Sequence, residues 1–220
     1  LSHAYLFSGP SGAGKKAVAL AMAEAINGIP NLAIVEDQTQ RSQKSSWRKH
    51  PDIHFFFPLT TDYADKTEDP EVMGRLDLLD KDPYEVIDFE DRPSLSSKQE
   101  SSNKQSFYPI SYFRSTIRKA CLYRPNEGRK TIVVISRIER MRKESANAFL
   151  KLLEEPPPHL VFILTTDHQE QLLPTIISRC QVIRFKPLNT TEIAEGLQRL
   201  NGMEATEAQD FARLVGGNFS

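Results

Sequence analysis

The sequence predicts an α/β fold, a parallel five-stranded sheet flanked by helices and followed by a small helical unit. Three observations carry this. Ala4-Tyr5-Leu6-Phe7 is a short apolar run leading straight into a glycine-rich loop, and the loop leads into Ala17 to Ala25, rich in Ala, Leu and Met. Thr131 to Ile135 and Leu160 to Thr165 are apolar without alternation, the pattern of strands covered on both faces. Helical stretches separate such runs, and strands alternating with helices form a parallel sheet through right-handed crossovers.

The elements follow in order. After the first strand and helix, Asn31 to His50 is polar, with one helix-like stretch at most. Ile53 to Phe57, between Pro51 and Pro58, is the next strand. Residues 59–106 read as a flexible insertion, acid-rich between Asp62 and Asp91 and then Ser-, Lys- and Gln-rich, in which Glu71 to Leu79 alone has helical character. Ser111 to Leu122 has helical spacing, with Phe113, Ile117 and Ala120 on one face and Arg114, Arg118 and Lys119 on another. Pro125 to Gly128 is a turn into the strand Thr131–Ile135, and Ser145 to Glu155 a helix stopped by Pro156-Pro157-Pro158. The strand at 160–165, a short helix over Leu172–Arg179 and a last strand over Gln181–Phe185 complete the first unit, 1–186. Thr190–Asn201 and Glu204–Val215 are the helices of the second, 187–220, the first capped by Thr190 or Thr191.

Composition narrows the function. With 28 Lys and Arg against 29 Asp and Glu, the chain is not a wholesale basic nucleic-acid binder, although a local patch remains open. Cys121 and Cys180 are far apart in sequence and suggest neither a disulfide framework nor a metal cluster, which fits a reducing cytoplasm. No apolar run approaches the roughly 20 residues of a membrane span, and no secretion signal opens the chain. Both ends read as cuts in a longer protein.

The chemistry starts at Gly9-Pro10-Ser11-Gly12-Ala13-Gly14-Lys15-Lys16. The glycines allow backbone N–H groups to curl round phosphate oxygens, the helix behind offers its positive end, and Lys15 reaches the outer phosphates. A hydrolytic loop ends in Ser or Thr, whose hydroxyl holds Mg²⁺; position 16 is Lys. The loop therefore indicates a nucleotide site and casts doubt on catalysis there.

Three segments together resemble one family. His3-Ala4-Tyr5-Leu6-Phe7-Ser8-Gly9, Asn147 to Pro157 (NAFLKLLEEPP) and Pro174 to Gln181 (PTIISRCQ) are similar to the AAA+ subunits of the bacterial DNA polymerase III clamp loader, over roughly residues 1–57 and 107–220. The resemblance implies an AAA+ phosphate-loop domain, a helical lid truncated in this sequence, and a collar domain outside it, so that this stretch alone is expected to be monomeric. In that family motor subunits hydrolyse ATP, whereas the delta-prime type usually does not. The motors end the third strand with two acids, one for Mg²⁺ and one to polarise water. Here Ser136 and Arg137 stand there, and Glu139 is expected to have entered the next turn and to point elsewhere. Lys16 and Ser136-Arg137 thus fail at the same task, so intrinsic ATPase activity is not expected. Two added cations can neutralise phosphate in place of a metal, so ATP or ADP bound without turnover is the expectation, with the part of Mg²⁺ left open.

By the same resemblance, Arg179 of Ser178-Arg179-Cys180 is a finger that stabilises charge on the γ-phosphate in a neighbour's site, a role suited to a fork that is always charged. Thr165 is either the sensor that meets the γ-phosphate or simply a strand-end Thr. The family's four-Cys zinc module cannot exist in a chain without cysteine before Cys121. The partners implied are the gamma/tau motor and delta subunits, the sliding clamp, and primed DNA, tracked through its phosphates by Arg114, Arg118 and Lys119. The alternatives are an active motor subunit, which needs an acidic pair near Ser136, and a phosphotransferase of another class, which leaves Ser178-Arg179-Cys180 unexplained.

Overall fold

The computed structural model describes residues 1–29, 46–89 and 105–215. Five parallel strands, β1 (Ala4–Ser8), β2 (Ile53–Phe56), β3 (Thr131–Ile135), β4 (Leu160–Thr166) and β5 (Gln181–Arg184), lie in the order β2-β3-β4-β1-β5. Every residue of β3 and β4 is buried, which is why these runs carry no polar alternation. β1 and β4 pair in register Leu6↔Leu164 and Phe7↔Thr165, bringing the end of β1 beside the end of β4. Between strands run α1 (Lys15–Asn27), α2 (Pro70–Lys81), α3 (110–122), α4 (Lys143–Glu154) and the short α5 (Pro174–Ile177). Ala19 and Ala23 let α1 approach the sheet closely, and Phe113, Phe149 and Phe162 fill the other face edge-to-face, with centroids 6.3 and 5.0 Å apart.

α3 differs from the regular helix expected for Ser111–Leu122: Phe113–Ile117 is a π turn, and Phe113, Ile117 and Ala120 nonetheless all turn inward. Arg114, Arg118 and Lys119 are exposed.

The reading of 59–106 as a flexible insertion does not describe its first half. Leu59, Leu79 and Ile87 are fully buried in the main core, and α2 covers the whole of the expected Glu71–Leu79 helix. Leu59 and Phe107 exchange backbone hydrogen bonds at 3.0 Å, closing the neck of the insertion. The misreading has a physical cause: the apolar residues are spaced among acids, and the cation that fastens the segment, Arg75, is itself fully buried. Residues 90–104 of the insertion, most of the expected Asn31–His50 segment and the chain end after Val215 lie outside the described residues.

Asp52, 3 % exposed, sets the start of β3. Its carboxylate accepts the backbone N–H groups of Asn126, Glu127 and Gly128 at 2.6, 2.8 and 2.6 Å, tying the turn before β3 to the residue before β2. Burial alone would raise its pKa, but the three N–H donors outweigh it and hold the carboxyl below the usual range. A lowered native pKa means that the stability it contributes is present above the unfolded value of about 4 and is lost as pH falls through the lower, native one. Asp52→Asn is expected to cost about 3 kcal/mol at pH 7 and to flatten the acid limb of a urea-midpoint-against-pH curve. An unchanged limb would show that this clasp contributes nothing.

A separate small core, Ile193, Ala194, Ala208 and Ala212, joins α6 (Thr190–Asn201) to α7 (Ala205–Val215). The cap of α6 is Asn189 rather than Thr190 or Thr191: Asn189 Oδ1 accepts from Glu192 N and Glu192 Oε2 from Asn189 N, a reciprocal capping box. Among the described residues no helix is long and apolar enough to cross a membrane.

Candidate phosphate-binding site

β1 delivers the chain to the loop at Gly9, where a Cβ would collide with the carbonyl oxygen of Phe185 just beyond β5. Gly14, at φ 78°, turns the chain through the left-handed region into α1, aiming the helix N-terminus at the loop. Inside the turn, Lys15 Nζ donates to the carbonyls of Gly9 at 2.8 Å and Pro10 at 2.5 Å and pairs with Asp167 Oδ1 at 2.7 Å. Ala13 is buried behind the loop.

The pocket in front is lined by Ser11, Gly12, Gly14, Lys15 and Lys16 from the loop and α1, by Ser136 and Arg137 after β3, and by Thr165 and Asp167 at the end of β4. The structure therefore brings together the loop, the two residues standing where acids were expected, and the candidate sensor. Thr165 Oγ1 accepts the backbone N–H of Arg137 at 3.2 Å, so its hydroxyl bridges strand ends. Arg137 is the sole described non-glycine at positive φ, 49°, a conformation that costs backbone energy and turns the chain sharply out of β3. Ser136 is held below: its carbonyl accepts the hydroxyl of the wholly buried Tyr108 at 2.5 Å.

Several partners went unseen in the sequence. Pro83, Tyr84, Val86 and Asp88 of the insertion form the remaining wall, and Asp88 lies 3.7 Å from Arg137 Nη1 and 4.0 Å from Lys16 Nζ. Nothing in the acid-rich composition of 62–91 distinguishes Asp88 from its neighbours. Asp167, two residues past Thr165 at a strand end, had a positional signal that composition did not reveal. Glu139 is not among the lining residues; its Oε1 accepts from Asp167 N at 3.4 Å, and burial raises its pKa.

Mg²⁺ requires several oxygen donors at short range. The two pocket carboxylates are already set against cations, Asp167 against Lys15 and Asp88 between Lys16 and Arg137, and neither position 16 nor position 136–137 adds an acid. The donor set does not fit this metal. Among the described residues no group of three or more His, Cys, Asp or Glu could hold a metal ion.

Arg179 is placed outside this pocket, just beyond α5. Its Nη2 donates to Glu154 Oε1 and its Nη1 to the Thr175 carbonyl, both at 2.9 Å, and a third of the side chain is exposed. Arg114, Arg118 and Lys119 are likewise not among the lining residues.

The parallel sheet, the loop between β1 and α1, and the residues closing over it define a phosphate-loop protein of the AAA+ fold. Two crystal structures of mutants of Thermotoga maritima RuvB share that fold, with TM-scores of 0.54 and 0.51 at 14 % identity, covering 100 % and 96 % of this chain and 52 % and 48 % of theirs. The chain belongs to the DNA polymerase III clamp-loader subunit family: the model of the family described as "DNA polymerase III, delta subunit" matches residues 1–189. Among curated relatives, "DNA polymerase III subunit delta'" of Bacillus subtilis is 27 % identical over 98 % of this chain and 50 % of its own length. "DNA polymerase III subunit tau" of Escherichia coli is 28 % identical over 91 % of this chain and 24 % of its own. The chain thus spans at most about half the length of these relatives.

Proposed function

We propose that this protein is a non-catalytic clamp-loader subunit of the delta-prime type, acting in DNA replication by completing the site of a neighbouring motor ATPase. The observation that carries the reading is the contrast between two arginines. Arg137 and Lys16 put positive charge where a motor needs oxygen ligands and a base, so the chain's own pocket lacks the means of turnover. Arg179 stands outside that pocket, a third exposed and held by Glu154 as a preformed cation facing outward.

On this reading the subunit works beside gamma/tau motor and delta subunits, helps open the sliding clamp and load it at primed DNA, and is active in the cytoplasm. ATP or ADP, when bound, would be held without turnover by the loop amides with Lys15, Lys16 and Arg137, and zinc has no part. Thr165 would meet the outer phosphate. Arg114, Arg118 and Lys119, exposed together on α3, would touch DNA phosphates in the assembly, independently of sequence and less strongly as salt rises. An active motor subunit, the competing reading, is disfavoured by the charge of the pocket. The test is ATP turnover by the motor subunits, assembled with delta, clamp and primed DNA and with either the full-length protein or its Arg179→Ala variant.

A further inference from the structure

We propose that the segment 83–88 is a displaceable plug in the phosphate loop, and that the Asp88 carboxylate occupies the place between Lys16 and Arg137 where a nucleotide's outer phosphates would be held. The plug rests on reading residues 9–16 as a phosphate-binding loop, and it adds to that loop a resting ligand supplied by the chain itself.

The contacts are specific to the loop. Lys16, the residue in place of the metal-binding hydroxyl, donates through Nζ to the Glu85 carbonyl at 3.0 Å and faces Asp88. Arg137, in place of the second acid, faces the same Asp88 oxygen. Tyr84 lies over the loop, its Cε1 3.8 Å from where a Cβ on Gly14 would be. The space left in the cleft is about 70 Å³, against the roughly 300–1,000 Å³ of ordinary ligand pockets. A nucleotide therefore cannot enter without moving this segment.

Its anchoring is uneven, which is what a displaceable element needs. At the far end Ile87 is fully buried, and its carbonyl accepts Arg75 Nη1 at 2.6 Å. Residues 83–86 are only partly buried and reach the loop through the Lys16–Glu85 hydrogen bond and the Tyr84 ring. The two cations that removed the metal site thus gain a second role: they hold an internal carboxylate until a polyphosphate competes for them. Such a ligand carries more negative charge than one carboxylate and also reaches the loop amides, so it needs no metal to displace Asp88.

The experiment is calorimetric titration of the full-length protein and its Asp88→Asn variant with ATP and with pyrophosphate, each in EDTA and in excess Mg²⁺. If the closed form dominates, opening it should tighten apparent affinity about tenfold or more, since that affinity scales with the fraction of open protein. The expected result is such a gain in Asp88→Asn, present in EDTA and reversed by adding Lys16→Gln. Equal affinity in the two proteins overturns the plug. Absence of binding in both overturns it too and implicates the loop itself, while leaving the role of Arg179 untouched. Should Asp88→Asn melt early, Tyr84→Gly loosens the segment with the buried charges in place and is expected to give the same gain. Hydrogen exchange of the wild-type amides at 84–88 supplies a readout without any substitution: exchange should speed up on saturation with ATP, and unchanged exchange with ATP bound rejects the plug.

Discussion

Replacing Arg179 with alanine is expected to lower ATP turnover by the neighbouring motor subunit about 10³-fold or more, the scale on which an arginine supplied in trans acts. The magnitude follows from what the side chain offers. A guanidinium carries its charge at any working pH, presents two parallel donors to a phosphate, and needs little reorganisation when it is already held in place. Here it is held by Glu154 and the Thr175 carbonyl at the end of α5, away from the chain's own pocket. Glu154→Gln is the informative companion, because it removes the restraining carboxylate and keeps the cation; turnover close to wild type is expected. Assembly must be shown intact by gel filtration in each case. Unchanged turnover with Arg179→Ala would remove the finger assignment and leave a scaffolding subunit as the better account.

The second large effect is on stability, at Arg75. This side chain is fully buried, its Nη2 is 3.0 Å and its Nε 3.1 Å from Glu71 Oε1, and its guanidinium carbon is 3.9 Å from the centre of the Phe89 ring. Phe89 in turn stacks against Tyr63 and Phe57, at 5.0 and 6.1 Å between centroids. Arg75→Ala takes the cation away from a buried carboxylate and also vacates a large core volume. A loss of about 3–5 kcal/mol is expected, the range for breaking a buried ion pair from one side. In a chain of this size that lowers the melting temperature by roughly 6–20 °C. The double variant Arg75→Met/Glu71→Met, which removes both charges and retains apolar volume, should recover most of the loss. A change below about 1 kcal/mol for Arg75→Ala would mean that the insertion is not fastened by this residue.

These two residues also mark how far the sequence can be read. Arg179 is found from its neighbours in the chain: Ser178 and Cys180 place it, and the short helix and strand around it are local features of 174–184. Arg75 gives no such signal. It lies in an acid-rich stretch where a solvated cation is the ordinary expectation, and only the tertiary structure shows Ile87, Glu71 and Phe89 closing round it. The cap of α6 shows the same division on a smaller scale. A capping residue near Glu192 was expected, but Asn189 took the role from Thr190 and Thr191 because its side chain alone meets the N–H of Glu192 while Glu192 reaches back.

The sequence by itself determined the alternation of strands and helices, the phosphate loop at 9–16, the loss of acids at 136–137 and the site of Arg179. Each is written in residues close together in the chain, through hydrophobic period, glycine spacing and residue type at a fixed offset. Only the tertiary structure decided what Lys15, Lys16 and Arg137 face. Asp167 comes to Lys15 from across 152 positions and Asp88 to Lys16 from across 72, and such a meeting depends on sheet order and on a core that folds residues 59–89 against it. Charge pairing acts through space and leaves no period along the chain, so the occupied state of the loop could be seen only once the chain was folded.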